Sequence, residues 1–219
     1  DISAAKEARK ALIESREHAE KSLESMSRAW EHTIDVLAMA AETRDPYTAG
    51  HQRNVSALSE AIAKELWLDK ETVNSIRMAG LVHDVGKINI PTEILSKPGT
   101  LGEVEFALIR THPEVGYEIM KNIELPWRLA DMILQHHERM DGSGYPRGLK
   151  GDRIMLEAKV LAVADVVEAM SSHRPYRASL GVEAALEEIE TNKGRLYDPQ
   201  VADACLRLFR EKGFRFPGS

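Results

Sequence analysis

Seven side chains spread over five short stretches share one chemistry: His51 in GHQR, His83 and Asp84 in LVHDVGK, His112 in THPEVG, His136 and His137 in QHHERMDG, and Asp165 in LAVADVVEAM. Five imidazoles and two carboxylates form a mixed nitrogen and oxygen donor set, which suits Fe, Mn, Ni, Co or Zn over Ca or Mg. Single histidines are commonplace, but an adjacent pair at the end of a helical run raises the possibility of a metal site. On a helix of 3.6 residues per turn, His83 and Asp84 point about 100° apart and can reach one side of a metal cluster. Lys87, four residues after His83, falls above it on the same face, where an ammonium could neutralise a phosphate. Taken alone, LVHDVGK reads equally as a helix end carrying an Asp-Lys pair. Asp165 is more telling, because a carboxylate rarely sits inside an apolar helix unless it is paired or coordinated. His18 and His32 lie on a charged helix among ordinary surface acids and read as solvated.

The elements that must position this set are helical, since nearly every apolar run repeats at three and four residues rather than two. The N-terminal stretch places Leu12, Ala19, Leu23, Met26 and Trp30 on one stripe, interrupted by Arg9 and Arg16. That pattern fits an imperfect coiled-coil seam or a lone amphipathic helix, and the sequence leaves both open. The helix through His32–Thr43 should stop near Asp45-Pro46, and another should begin around Thr48. Asp45 reads as its cap, with substrate contact as the alternative for Asp45 and Arg44. A helix over Glu71–Val85 should end at Gly86, followed by a loop from Ile88 to Gly102, closed by a Thr100/Glu103 capping box. Further helices are expected at about Glu103–Arg110, Pro113–Asn122, Pro126–Glu138, Met155–Ser171, Val182–Asn192 and Pro199–Lys212. Between them Arg139–Arg153, with four glycines and a proline, reads as an ordered loop. The expected organisation is an N-terminal linker or coiled-coil helix over 1–30 and an all-α helical bundle over 31–219.

The 219 residues are enough to bury a full core without disulfide or metal staples, so any metal is there for chemistry rather than stability. One cysteine, Cys205, lies in an apolar run and reads as buried and reduced, which suits a cytoplasmic setting. No apolar stretch nears the roughly 20 residues of a membrane span, and no leader opens the chain, although an upstream membrane tether is compatible with it. The formal charge of -6 argues against a nucleic-acid partner, which needs a basic face.

The order H, HD, H, HH, D, with Gly144, Tyr145 and Pro146 soon after His137, resembles the HD-GYP family of cyclic dinucleotide phosphodiesterases. The likeness runs in order through RDPYTAGH, VHDVGK, INIP, ILSKPGTL, THPEVG, HHERMDGSGYPRGLKGD, AVADVVEAM, RPYR and YDP, roughly Glu42 to Pro199. It implies an HD-type all-α bundle with a bridged pair of divalent transition metals, Fe first among them. His51, His83, Asp84 and Asp165 would hold one ion, and Asp84, His112, His136 and His137 the other. A water or hydroxide shared between the ions would open cyclic di-GMP to pGpG, with GMP as a further product. By the same resemblance Lys87 would stabilise the attacked phosphate, Arg174 and Arg177 would bind phosphate, and Tyr145 would line the substrate pocket. Tyr47 stands where some members carry a glutamate for a third metal, so two metals are expected; Met155 and His173 also depart from the common pattern. The N-terminal seam suggests a coil continuing from an upstream sensory or receiver domain and a homodimer through that helix, and the resemblance suggests a diguanylate cyclase domain at the GYP loop. Two other readings stand beside this one: the same chemistry on another cyclic or linear dinucleotide, and a non-catalytic nucleotide- or partner-binding module.

Overall fold

The computed structural model describes residues 2–44, 50–97, 99–123, 127–172 and 180–217, with side chains 2–5, 7, 8, 23, 24, 27, 31, 35 and 40–44 outside the description. The helices are α1 (Ile2–Arg44), α2 (His51–Glu65), α3 (Lys70–Val82), α4 (Thr92–Leu95), α5 (Glu103–Ile109), α6 (His112–Met120), α7 (Leu129–Gln135), α8 (Leu156–Ser171), α9 (Val182–Thr191) and α10 (Pro199–Arg210). Two 3-10 helices, Val85–Asn89 and Gly151–Arg153, interrupt the order. Among the described residues there is no strand beyond an isolated Lys193–Tyr197 bridge. The all-α expectation therefore holds.

Two units divide the chain, Asp1–Val36 and Leu37–Ser219. The first is a run of uninterrupted helix that leaves Leu12, Ile13 and Met26 exposed. Of the proposed seam, Ala19 is exposed and Trp30 half-buried, while the Leu23 side chain lies outside the description.

In the second unit, apolar residues at helical spacing on α2 (Val55, Leu58, Ile62) meet those on α8 (Val160, Val163, Val167), α9 (Ala185, Leu186, Ile189) and α10 (Val201, Ala202, Cys205) in one buried cluster. Each large member gains about 1.5–3 kcal/mol by leaving water, so α2 and α8 form a firm base for the side chains on their opposite faces. Caps set the helix starts. Asp69 accepts from the amides of Glu71 and Thr72 at 3.0 Å each, opening α3. Asp198 does the same for Gln200 at 3.0 Å before α10, where Pro199 suits the first turn.

Three local expectations are corrected. The capping box sits two residues later than expected: the Glu105 carboxylate accepts from the Gly102 amide at 2.7 Å. The segment Ile88–Gly102 is not a plain loop, since it holds the end of one 3-10 helix and all of α4. Most consequentially, α3 stops at Val82 and the chain tightens into 3-10 helix from Val85, so Lys87 meets Asp84 three residues back rather than stacking over His83. The start of α2 at His51 has Gly50 in the cap position, and Thr48 and Asp45 lie outside the described residues.

Close backbone approach holds the 3-10 turn against α6. A Cβ on Gly86 would lie 1.9 Å from the His112 carbonyl oxygen and 2.6 Å from the Gly116 nitrogen. Gly86→Ala is therefore expected to cost about 1–3 kcal/mol through overpacking, read as a lower urea unfolding midpoint. A midpoint equal to wild type would show that the two backbones have room to part.

Candidate metal centre

Helix ends deliver most of the seven side chains. His51 is the first residue of α2, His83 follows the last residue of α3, His112 opens α6, and His136 and His137 follow α7. Asp165 comes from within α8, and its neighbours Val163, Ala164 and Val167 face the core. All seven converge. The structure thus brings together residues from five helices, whereas Asp45, Arg174 and Arg177 lie outside the described residues.

Each helix-end position also fixes a ring. Nδ1–H of His83 donates to the Gly80 carbonyl at 2.8 Å, that of His112 to Ile109 at 2.8 Å, and that of His136 to Ile133 at 2.6 Å. All three reach back three residues to a backbone acceptor, so each is assigned the Nδ1–H tautomer. Their Nε2 atoms then carry lone pairs, and these point at one another and at carboxylates. Nε2 of His112 and Nε2 of His136 lie 3.3 Å apart. Nε2 of His83 is buried and has no hydrogen-bond partner among the described residues.

Asp84 sits between two groups of rings. Its Oδ1 is 3.3 Å from His112 Nε2, while its Oδ2 is 3.6 Å from His83 Nε2 and 3.8 Å from His51 Nε2. Lys87 Nζ donates to the same Oδ2 at 2.6 Å. Asp165 presents Oδ1 to His51 Nε2 at 3.3 Å and to His83 Nε2 at 3.9 Å, and Oδ2 to His137 Nδ1 at 4.0 Å. Two sets of donor atoms close enough to share an ion emerge from this geometry: His51, His83 and Asp84, and His112, His136 and His137.

Titration follows from the surroundings. Desolvation pushes His112 down to about 4 and His136 to about 3, and it drives His137 well below the usual imidazole range. Burial opposes the charge on Asp84, yet the Lys87 ammonium foremost, with the neighbouring imidazoles, holds its carboxyl well below the normal value. Asp165 is likewise held low against desolvation, chiefly by the His51 hydrogen bond. His51 differs from the other rings: desolvation works against its cation, but hydrogen bonds and charges from Asp165 and Glu168 raise it to about 9.

The donor set fits a pair of borderline divalent cations. Two imidazole nitrogens 3.3 Å apart, each with its proton committed elsewhere, repel unless a cation lies near both, and a buried unpartnered Nε2 asks for the same partner. Neutral imidazoles, as at His112, His136 and His137, and ionised carboxylates are the ligand forms that metal binding requires, and His51 would give up its Nε2 proton to join them.

Sequence reading missed three contributors. Glu168 hydrogen-bonds His51 Nδ1; like Asp165, one turn earlier, it is a carboxylate on an apolar helix, and the same argument applied to it. Buried Glu138 accepts from the Arg147 and Leu149 amides at 2.8 Å each, pinning the loop that carries Tyr145. The Tyr145 ring stacks on His137 at 4.7 Å between centroids, and the Arg110 guanidinium lies 4.6 Å over the same ring. Gly144 serves this loop by proximity, since a Cβ there would fall 2.4–2.5 Å from His137, Glu138 and Arg139 backbone atoms.

An all-helical unit with a His/Asp centre of this kind defines an HD-type fold. Comparison with known proteins agrees: the HD domain family matches residues 35–201, and the chain belongs to it as an HD-GYP member. It is 42% identical over 188 residues to the cyclic di-GMP phosphodiesterase response regulator RpfG of Xanthomonas campestris pv. campestris, covering 85% of this chain and 50% of that protein. It is 35% identical over 189 residues to the 3'3'-cGAMP-specific phosphodiesterase 3 of Vibrio cholerae, covering 85% of this chain and 41% of that protein. The chain thus spans about half the length of the curated relatives it matches. Among solved structures, the V. cholerae cyclic GMP-AMP specific phosphodiesterase V-cGAP3 superposes with a TM-score of 0.61 at 15% identity, over 81% of this chain and 49% of that one.

The buried imidazoles make metal-free protein sensitive to acid. His112 and His136 have folded values below the unfolded 6.5, so their contribution to stability is complete above 6.5 and is lost as pH falls towards 4 and 3. His51 has the opposite sign: its raised value adds stability that grows as pH falls from about 9 to 6.5. The depressed group outnumbers the raised one, His137 included. Chelator-treated protein should therefore lose about 1–3 kcal/mol between pH 7.5 and 5.5, read from urea unfolding at each pH. Equal stability at the two would contradict the neutral, buried state of these rings.

Proposed function

We propose that this chain is a metal-dependent phosphodiesterase that hydrolyses cyclic di-GMP to pGpG, and pGpG further to GMP, in bacterial second-messenger signalling. The observation that carries the reading is the pair of facing Nε2 lone pairs on His112 and His136 beside Asp84, whose two oxygens look to different ring sets. Support also comes from relatives at 42% and 35% identity that bear the names of cyclic dinucleotide phosphodiesterases. His51, His83, Asp84 and Asp165 would hold one ion, and Asp84, His112, His136 and His137 the other, with Fe favoured and Mn, Ni, Co or Zn fitting the same donors.

When bound, such ions polarise phosphoryl oxygens and lower the pKa of water. The chain's own groups do the rest. Asp84 divides its two oxygens between the ring sets. Lys87, half-buried beside it, brings an ammonium to the place where charge gathers on the attacked phosphate. Tyr145, stiffened between His137 and Arg110, offers a flat wall to a purine. Arg174 and Arg177 are assigned to the second phosphate, and Asp45 to the substrate rim. The reaction adds water to phosphorus and releases one ester oxygen with a proton, so it needs no redox partner.

The same reading assigns the exposed Leu12 and Met26 of α1 to pairing with a second copy, the region upstream to a sensory or receiver domain, and the Tyr145 loop to a diguanylate cyclase domain. Among the described residues no helix is long and apolar enough to cross a membrane; a cytoplasmic site of action follows from the nucleotide substrate.

Purified without added metal, the protein should contain two equivalents of divalent transition metal by elemental analysis and should turn over cyclic di-GMP faster than 3'3'-cGAMP. Asp84→Ala should lose both equivalents and all measurable turnover, and Lys87→Ala should keep its metals while kcat falls about 10²–10³-fold. Loaded protein that binds cyclic di-GMP without hydrolysing it, under reducing and oxidising conditions alike, would establish a binding module instead.

A further inference from the structure

His51 is held differently from the other rings in the cluster. His83, His112 and His136 donate Nδ1–H to carbonyls of their own backbone, whereas His51 Nδ1 hydrogen-bonds Glu168 Oε2, 117 residues along the chain. Glu168 is 2% exposed and lies on α8 one turn beyond Asp165. Its other oxygen, Oε1, accepts from Asn54 Nδ2 at 3.2 Å and from Ser172 Oγ at 2.6 Å. Two helices are thereby joined by two rungs, His51–Asp165 and His51–Glu168, with Asn54 and Ser172 fixing the orientation of the second.

We propose that Glu168 is a positioning residue for one of the two metal ions: by holding Nδ1–H of His51 it makes Nε2, the atom that faces Asp84 and Asp165, the one that would ligate. The inference rests on the metal-centre reading above and goes beyond it by making the two ions unequal. In one set His112 and His136 take their ring orientation from backbone carbonyls, which no side-chain substitution removes. In the other set His83 is held the same way, and His51 alone depends on a buried carboxylate. Every contact that Glu168 makes here asks it to accept, and an ionised carboxylate is the group that can accept on both oxygens at once. An amide at this position must turn its NH2 towards His51 or towards Asn54 and Ser172. In the first orientation His51 Nδ1 has to accept, which places the proton on Nε2 and blocks ligation. In the second, the charge-assisted bond to the ring is lost.

Metal-free full chain titrated with Co2+, followed by visible absorption and elemental analysis, tests this without recourse to turnover. Wild type should take up two equivalents. Glu168→Gln should bind one equivalent with wild-type affinity and the other about 10–100-fold more weakly, with helix content unchanged by circular dichroism. Glu168→Asp, which keeps the charge, should recover part of the lost affinity. Two undiminished equivalents in Glu168→Gln, equal weakening of both ions, or a Glu168→Asp protein no better than Glu168→Gln would each overturn the inference while leaving the metal centre standing. Wild type that takes up no Co2+ would overturn the metal centre and this inference with it. Should Glu168→Gln fail to fold, Ser172→Ala decides: a smaller loss confined to one equivalent supports the proposal, and unchanged binding overturns it.

Discussion

The centre depends on an electrostatic conflict that protein atoms alone leave unresolved. Imidazole lone pairs from His83, His112 and His136 are turned inward by backbone hydrogen bonds, and Asp84 and Asp165 bring ionised oxygens to the same dry space. Lone pairs and carboxylates are mutually repulsive, and burial denies them water as a partner. Lys87 relieves one side of Asp84, and the His51 proton relieves Asp165. Among the described residues no hydrogen-bond partner serves His83 Nε2, and the Nε2 atoms of His112 and His136 face each other at 3.3 Å with Asp84 beside them. A folded chain bears such a cost where it is compensated by a ligand, and divalent cations compensate all of these groups at once.

Helix termini make this arrangement possible at low backbone cost. A residue just past the last helical turn, or in the first one, is free to leave the helix axis while a carbonyl three residues back is still within reach of its Nδ1. His83, His112 and His136 use that same device, which explains why the candidate ligand motifs are short and local although their residues are scattered over the sequence. The 3-10 turn after α3 belongs to it: by tightening the chain it brings Lys87 back onto Asp84 at 2.6 Å, and Gly86 lets that turn settle on the start of α6, where His112 stands.

What could be read from the sequence was therefore what local pattern controls. Helix periodicity marked the elements, and an aspartate in an apolar run marked Asp165. The HD and HH pairs marked helix ends. What escaped was set by tertiary contact. The capping box at Gly102 and Glu105 and the switch to 3-10 helix at Val85 depend on how neighbouring segments meet, which no window of residues displays. Glu168 carried the same signal as Asp165, a carboxylate on an apolar helix, but its surroundings masked it. Its sequence neighbours Ser171, Ser172 and His173 make it look like the wet end of a helix, whereas its partners His51 and Asn54 lie more than a hundred positions away.

Charge bears on how an acidic chain could attract the doubly anionic substrate proposed for it. At neutral pH Asp84, Asp165 and Glu168 against Lys87 and protonated His51 leave the metal-free pocket with an excess of one negative charge, in a chain whose formal total is already -6. Phosphodiesters would be repelled from such a pocket. Two divalent cations, bound as the His51 proton leaves, would reverse the sign to an excess of two positive charges in the same volume, and at these distances local charge outweighs the screened total. Under the proposed function, substrate binding would then be conditional on metal loading through electrostatics alone, before any chemistry is considered. Because His51 relies on a side-chain carboxylate where His83, His112 and His136 rely on backbone carbonyls, two such ions would not have to load with equal affinity, and the sign of the pocket would turn on the weaker of them.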